Sequence, residues 1–228
     1  SDATVELSGV QAQEVFRLFA YGLLAILVLM VPAFPATSVV REKNQGTLDL
    51  LLNSPMPSWS IYLGKMLGIL AFVTLLLTMS LPAASAAYAM GGVSWLRQIL
   101  PLYGILALVL VQYTALALLV SSYATTTDSA LKITYGLVLL TAVVTLGPHF
   151  FLQGQPGWMP QAAEWMRCAS PVPAAMELVG HGDAGSFGRD TPTTLARFAA
   201  FAVGSAIALA AATIMRLHSF LLDRPRPQ

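Results

Sequence analysis

The chain has 228 residues, of which 56% are hydrophobic and only 10% are charged. Soluble domains carry about 25% charged residues, so this composition excludes an ordinary soluble globular protein. The net charge of +1 excludes a strongly basic nucleic-acid-binding surface, and the single cysteine excludes a disulfide framework or a cysteine-cluster metal site. Composition therefore indicates an integral membrane protein.

The charged residues leave five long stretches, of 18 to 31 residues, that contain no Asp, Glu, Lys or Arg. A helix needs about 20 predominantly apolar residues to cross a hydrocarbon core. Each stretch is long enough for one crossing and too short for two, and none alternates as a barrel strand would. The sequence thus predicts an all-α fold with transmembrane helices at 18–40, 66–90, 99–121, 130–152 and 196–216.

Basic residues near the ends of the spans predict the orientation, because Lys and Arg concentrate in cytoplasmic loops. They favour a cytoplasmic loop at 41–65 and a cytoplasmic tail at 217–228, with segments 1–17 and 153–193 outside. An exterior N-terminus requires a signal peptide or an earlier span, and residues 1–17 show neither pattern. We therefore expect at least one upstream helix in the full-length protein; a short natural exterior tail is the alternative.

The 41–65 loop contains a predicted two-turn amphipathic helix at 47–53. Thr47 is a suitable N-cap, and Asn53 and Pro55 are typical of a helix end. Three leucines share one face of this helix: Leu48, Leu51 and Leu52.

Two interpretations of this short helix remain open. It could rest its leucines on lipid headgroups. Alternatively, it could dock on a cytoplasmic partner, with Gly46 allowing a close backbone approach and Glu42 offering a carboxylate to a basic group.

Polar residues are sparse within the predicted spans. The absence of acidic and basic residues there argues against a proton- or ion-coupled secondary transporter. Gln112, near the middle of the third span, is expected to hydrogen-bond a neighbouring helix; a place on a translocation path is the alternative. His149 is expected at the membrane interface, because no second metal ligand lies at a suitable spacing.

Prolines and small residues predict how some of the spans bend and pack. Pro32 and Pro35 predict a bend in the first span, and Pro82 predicts one in the second. In the last span, small residues recur every four positions, which permits close helix approach either within the chain or across a dimer. They are Ala200, Gly204, Ala208 and Ala212.

One motif resembles a known family. The pattern Glu42-x-x-x-Gly46-Thr47-Leu48, then Ser54-Pro55 and Leu63-Gly64-Lys65, resembles the cytoplasmic loop of type-2 ABC transporter permeases. In that family the loop forms a coupling helix that seats in a groove of the ATP-binding subunit. The resemblance implies six spans in the full-length protein and one permease domain over 1–228. The ATPase-coupling residues that it implies are Glu42, Gly46, Thr47, Leu48, Leu51 and Leu52.

The resemblance also carries expectations for the exterior segment and the assembly. Short re-entrant helices are expected at Pro160–Trp165 and Pro173–Val179; an ordinary glycine-rich exterior loop is the alternative. The permease would work as a homodimer or beside a paralogue in the cell inner membrane, with two ATPase subunits. Substrate would pass between the permeases, where Gln112, Gly204 and Ala208 are candidate path or packing residues.

Catalytic motifs are absent from the sequence. No phosphate-binding loop, G-x-S-x-G or H-E-x-x-H occurs, so we predict no enzyme activity, cofactor or metal in this chain. ATP and Mg²⁺ would be bound by the partner ATPase. The sequence therefore predicts an ABC exporter permease, and the competing hypothesis is a non-transporting anchor or sensor that docks a partner through residues 41–58. The sequence does not identify the substrate.

Overall fold

The computed structural model of the chain describes residues 2–47, 57–91, 93–152, 165–166, 169–179 and 191–222. The regular elements in these ranges are helices, which confirms the all-α fold. The α-helices are α1 (Asp2–Met30), α2 (Ala33–Asn44), α3 (Ser58–Ala89), α4 (Leu100–Tyr123), α5 (Thr127–Leu152), α6 (Pro171–Leu178) and α7 (Thr191–Leu222). A single π-helical turn, Trp95–Ile99, leads into α4.

Five helical segments are long and apolar enough to cross a membrane, as the charge gaps predict. They are Gln11–Asn44, Ser58–Ala89, Trp95–Tyr123, Thr127–Gly147 and Leu195–Ser219. Because successive crossings alternate in direction, α2, α4 and α7 end at the face of the bundle where α3 and α5 begin. We call this face the loop end, since residues 48–56 connect α2 to α3 there. Helix α6 lies at the opposite end.

The helices extend beyond the predicted spans. Helix α3 begins at Ser58 directly after Pro57, eight residues before the predicted span at 66–90. Helix α1 begins at Asp2, within the segment predicted as an exterior tail. Hydrophobicity marks the part of a helix that lies in hydrocarbon, whereas the helix itself continues until a residue interrupts its backbone hydrogen bonds. The charge gaps therefore locate the crossings but not the helix ends.

The first crossing is interrupted between Met30 and Ala33, where the sequence predicts a bend. Pro32 has no amide hydrogen, so it cannot donate to the preceding turn. Near this break, the Tyr135 hydroxyl of α5 donates to the Leu29 carbonyl. A neighbouring helix thus satisfies a backbone group beside the interruption, as hydrocarbon surroundings require. Helix α3, in contrast, runs without interruption through Pro82.

Helix α4 is the centre of the bundle. Its spanning segment is the most deeply buried of the five, and it packs against α1, α2, α3, α5, α6 and α7. Its sequence is apolar on all sides, which is typical of a helix surrounded by protein. The fully buried Leu102, Ile105 and Leu106 place the core of the bundle along this helix.

Helix α6 is a short helix beside α4 and α7, between the last two crossings. It occupies Pro171–Leu178, close to the position at which the sequence predicts the second short helix. Ala174 and Ala175 are buried. Most of the other predicted short helix, Pro160–Trp165, lies outside the described residues, and so does the side chain of His149.

A buried hydroxyl group joins α2 to α4. Ser121 is fully buried, and its Oγ accepts hydrogen bonds from the backbone amides of Val39 and Val40 at 3.1 and 3.3 Å. These residues lie 81 and 82 positions apart in the chain. Because Val39 and Val40 belong to the half-span beyond the proline break, this contact fixes that half-span to the central helix.

We expect Ser121→Ala to destabilise the protein by about 1 kcal/mol, because it removes the buried hydroxyl that accepts from two amides of α2 and joins this helix to α4. For a chain of this size the loss corresponds to a fall of about 2–4 °C in Tm, measured by thermal unfolding of the purified protein in detergent.

Ser122→Ala is the matched control. Ser122 is also buried, but its hydroxyl donates to Leu119 within its own helix at 2.6 Å and joins no second element. Equal Tm values for the two variants would contradict the structural role of Ser121.

Candidate functional site

An ion pair joins the first two crossings at the loop end. Lys65 Nζ of α3 lies 2.5 Å from Glu42 Oε1 of α2. Their side chains are 14% and 27% exposed, so the pair is largely removed from solvent. The two residues flank the connecting loop, and their contact holds the end of α2 against the start of α3.

This pairing differs from the role that the sequence suggests for Glu42. One carboxylate oxygen contacts Lys65 of the same chain, whereas the docking hypothesis offers the carboxylate to a basic group of a partner. The second oxygen, Oε2, is shielded from solvent and makes no hydrogen bond to the described residues. Lys65 stands in the quoted sequence motif, but sequence reasoning gave it no role because 22 residues separate it from Glu42.

Gly46 ends helix α2. Its φ of 71° lies in the left-handed region, and its amide donates to the Lys43 carbonyl at 3.3 Å. This is the usual glycine termination of a helix, which other residues adopt at a cost. No atom of the described residues would meet an added Cβ at this position. Within the chain, therefore, backbone conformation rather than close packing requires the glycine.

The predicted coupling helix lies mostly outside the described residues. Thr47 is helical, and its hydroxyl donates to the Glu42 carbonyl at 3.3 Å. Leu48, Leu51 and Leu52 are not described, so their common face stays a prediction. The structure brings together Glu42, Lys65, Gly46 and Thr47 at the point where this segment leaves α2.

A cavity of about 330 Å³ lies in the half of the bundle nearer α6. It lies between α4, α5 and α7 and is partly open to the outer surface of the bundle, and the residues that lead into α6 close one end. Its wall is mainly apolar. The lining residues are Gln112, Tyr113, Leu116, Thr141, Ala142, Thr145, Ala169, Ser170, Pro171, Phe201, Ser205, Ala208 and Leu209.

Gln112 is the most polar side chain of this wall. Its amide oxygen is shielded from solvent and has no hydrogen-bond partner among the described residues. The sequence predicts a hydrogen bond from Gln112 to a neighbouring helix, and this oxygen does not make one. Of the three candidate path or packing residues, Gln112 and Ala208 line the cavity and Gly204 does not.

The small-residue stripe of α7 does not pack inside the described bundle. Ala200, Gly204 and Ala208 are exposed, and no atom would meet a Cβ added to Gly204. The buried side of α7 contains Phe198 and Ala202 instead. Sequence alone cannot decide between two apolar faces of one helix, because both satisfy the requirements of a membrane span.

Comparison with known proteins extends these observations. The profile of a family described as ABC-2 family transporter protein matches residues 2–221. A protein named probable multidrug ABC transporter permease YbhR, from Escherichia coli strain K12, is 31% identical over 144 residues, which are 62% of this chain. Its counterpart from Escherichia coli O157:H7 has the same identity and coverage. The chain spans 37% of the length of these relatives. Since the family profile covers almost the whole chain and five helices can cross the membrane, the chain is a multi-pass membrane protein of the ABC-2 transporter family.

Proposed function

We propose that this chain is the membrane-spanning permease subunit of an ATP-driven exporter. ATP and Mg²⁺ would be bound by a separate ATPase subunit, and the loop end would face the cytoplasm from the inner membrane. Membership of the ABC-2 family supports the class, and the name of the Escherichia coli relative, a probable multidrug ABC transporter permease, supports small molecules as substrates. The structural observation that best supports the proposal is the Glu42–Lys65 ion pair, whose residues lie on either side of the loop that would contact the ATPase.

The contacts around this loop suggest how movement would be transmitted. Because Glu42 and Lys65 are in contact, displacement of the loop would move α2 and α3 together. Ser121 would then pass the displacement of α2 to the central helix through the amides of Val39 and Val40. The proline break at Pro32 would allow α2 to tilt separately from α1.

The first test is association. We expect the chain, purified with its ATPase, to form a complex that hydrolyses ATP, and this turnover to drive transport in proteoliposomes. A chain that binds a cytoplasmic protein without ATP turnover would support the anchor or sensor hypothesis and overturn the permease proposal.

We expect Glu42→Gln to lower ATP-dependent transport by about fivefold or more while the complex still assembles. The substitution removes the charge that holds α2 against α3, and it leaves Lys65 poorly solvated and without its carboxylate partner. The measurement is transport per ATP hydrolysed, in proteoliposomes with matched amounts of complex.

Asp128→Asn provides the control for this variant. Asp128 and Lys132 form an ion pair at 2.6 Å, but both side chains are 74% exposed and both belong to α5. Such exposed pairs contribute little. Exchange of the two charges in Glu42→Lys with Lys65→Glu should restore part of the coupling. If Glu42→Gln and Asp128→Asn behave alike, the ion pair has no role in coupling.

We expect Gly46→Val to weaken coupling, because a β-branched residue at a φ of 71° is strained by about 1–2 kcal/mol. The strain would change the direction in which the chain leaves α2. Gly46→Asn should be milder, since Asn adopts this conformation more readily. The measurement is again transport per ATP hydrolysed.

Gly91→Val separates a local effect from a general loss of stability. Gly91 has a similar φ of 83°, but it lies after α3, at the end of the bundle opposite the loop. Both valine variants should lower Tm, and only the variant at Gly46 should uncouple ATP turnover from transport. Uncoupling by both would contradict a specific role for Gly46.

We also propose that the exposed stripe of α7 faces a second permease, either a copy or a paralogue. Gly204→Cys, in a chain whose Cys168 is replaced by Ser, should then form a disulfide-linked dimer in membranes under mild oxidation. The exposed Val203 is the control position, since it lies about 100° round the same helix from Gly204, away from the stripe. Cross-linking at Val203→Cys alone would place the interface on another face.

A further inference from the structure

We propose that the cavity among α4, α5 and α7 is a binding site for an uncharged amphiphile that carries a hydrogen-bond donor. The cavity volume of about 330 Å³ lies within the range of small-molecule sites, which are commonly about 300–1,000 Å³. Such sites combine apolar walls with a few polar groups that fix the orientation of the ligand. This cavity has that composition.

The wall contains possible donors, the Tyr113 hydroxyl and the amide nitrogen of Gln112, but three of its hydroxyl groups favour a ligand that donates hydrogen bonds. The hydroxyl groups of Thr141, Thr145 and Ser205 already donate to carbonyl groups of their own helices, at 2.7 to 3.2 Å. Their remaining capacity is that of acceptors. The amide oxygen of Gln112 is an acceptor without a partner in the described structure. A ligand hydroxyl or amide group could donate to these oxygens.

The unpaired oxygen of Gln112 also makes binding of a ligand in the cavity energetically favourable. A buried acceptor without a partner costs about 1–3 kcal/mol, and a donor that reaches it recovers much of this free energy. In the structure this oxygen is shielded from the cavity as well as from bulk solvent, so the proposed contact requires the amide to turn about its last torsion, which is broad in glutamine. Since the described lining residues include no Asp, Glu, Lys or Arg, a charged ligand would find no partner among them.

The position of the wall residues indicates entry from the bilayer. Phe201, Ala208 and Thr141 line the cavity and are also exposed on the outer surface of the bundle. Where the second permease proposed for the α7 stripe does not cover it, this surface faces lipid. A molecule with an apolar body concentrates in the hydrocarbon, so it can reach the cavity between α5 and α7 without crossing water. Ser170 and Pro171 close the end nearer α6.

The binding site is inferred from this chain alone, whereas its interpretation as a substrate site rests on the proposed function. The test therefore measures binding without an ATPase. The probe is a 4-alkylphenol with a diazirine in its alkyl chain, applied to the purified chain in nanodiscs. Its methyl ether is the matched ligand, because it retains the apolar body and loses the donor. Competition by unlabelled 4-hexylphenol gives the affinity, and mass spectrometry locates the label.

We expect the phenol to label peptides that contain cavity residues of α4, α5 or α7. Gln112→Leu should weaken phenol binding about tenfold, the equivalent of one hydrogen bond to a buried acceptor, and should leave the ether unchanged. Ala208→Phe should fill the cavity and abolish labelling by both ligands. Ala211→Phe should have no effect, because Ala211 is exposed on the same helix and does not line the cavity.

Two results would overturn the proposal. One is labelling of the same peptides in Ala208→Phe at the wild-type level, which would indicate partition into lipid at the protein surface. The other is equal loss of phenol and ether binding in Gln112→Leu, which would leave an apolar cavity without donor recognition. Either result leaves the coupling proposal intact, because that proposal is tested by ATP turnover and transport.

Discussion

Backbone hydrogen bonding without water is the constraint on which this structure depends. In hydrocarbon an unsatisfied backbone group costs several kcal/mol, so each crossing must be a helix and each interruption needs compensation from a neighbour. The break at Pro32 shows this requirement, because the Tyr135 hydroxyl donates to the Leu29 carbonyl beside it. Beyond the break, Ser121 accepts from the amides of α2. Because Val39 and Val40 lie within α2, this contact adds to the backbone bonds of the helix and holds the half-span next to the loop against the central helix.

The two ion pairs found among the described residues differ in how much they stabilise the fold, because they lie in different places. Asp128 and Lys132 lie one turn apart on one helix in solvent, where a pair contributes only a few tenths of a kcal/mol. Glu42 and Lys65 join two helices and are largely shielded, so loss of one partner leaves a poorly solvated charge. The distances are almost equal, at 2.6 and 2.5 Å. The stabilisation that an ion pair gives the fold therefore depends on which helices it connects rather than on its distance.

The features that could be predicted from the sequence are those that depend on composition over many residues. Spans follow from the charge gaps, because the hydrocarbon core excludes charge over its whole thickness. The contact of Glu42 with Lys65 could not be predicted in this way, since it depends on how two helices return to one end of the bundle. The exposure of Gly204 and the unpaired oxygen of Gln112 could not be predicted from the sequence either. Both depend on helix rotation about its axis, and apolar sequences such as that of α4 specify this only through packing.

The central helix connects the loop end with the cavity. Ser121 and Gln112 both belong to α4 and are nine residues apart, which corresponds to about 14 Å along a helix. Because α4 is surrounded by protein, it cannot bend freely between these two points. A displacement of α2 that acts on Ser121 would therefore tend to move the wall of the cavity at Gln112 and Tyr113. This rigid connection would allow an event at the loop to change the shape of a site deep in the bundle without a separate signalling element.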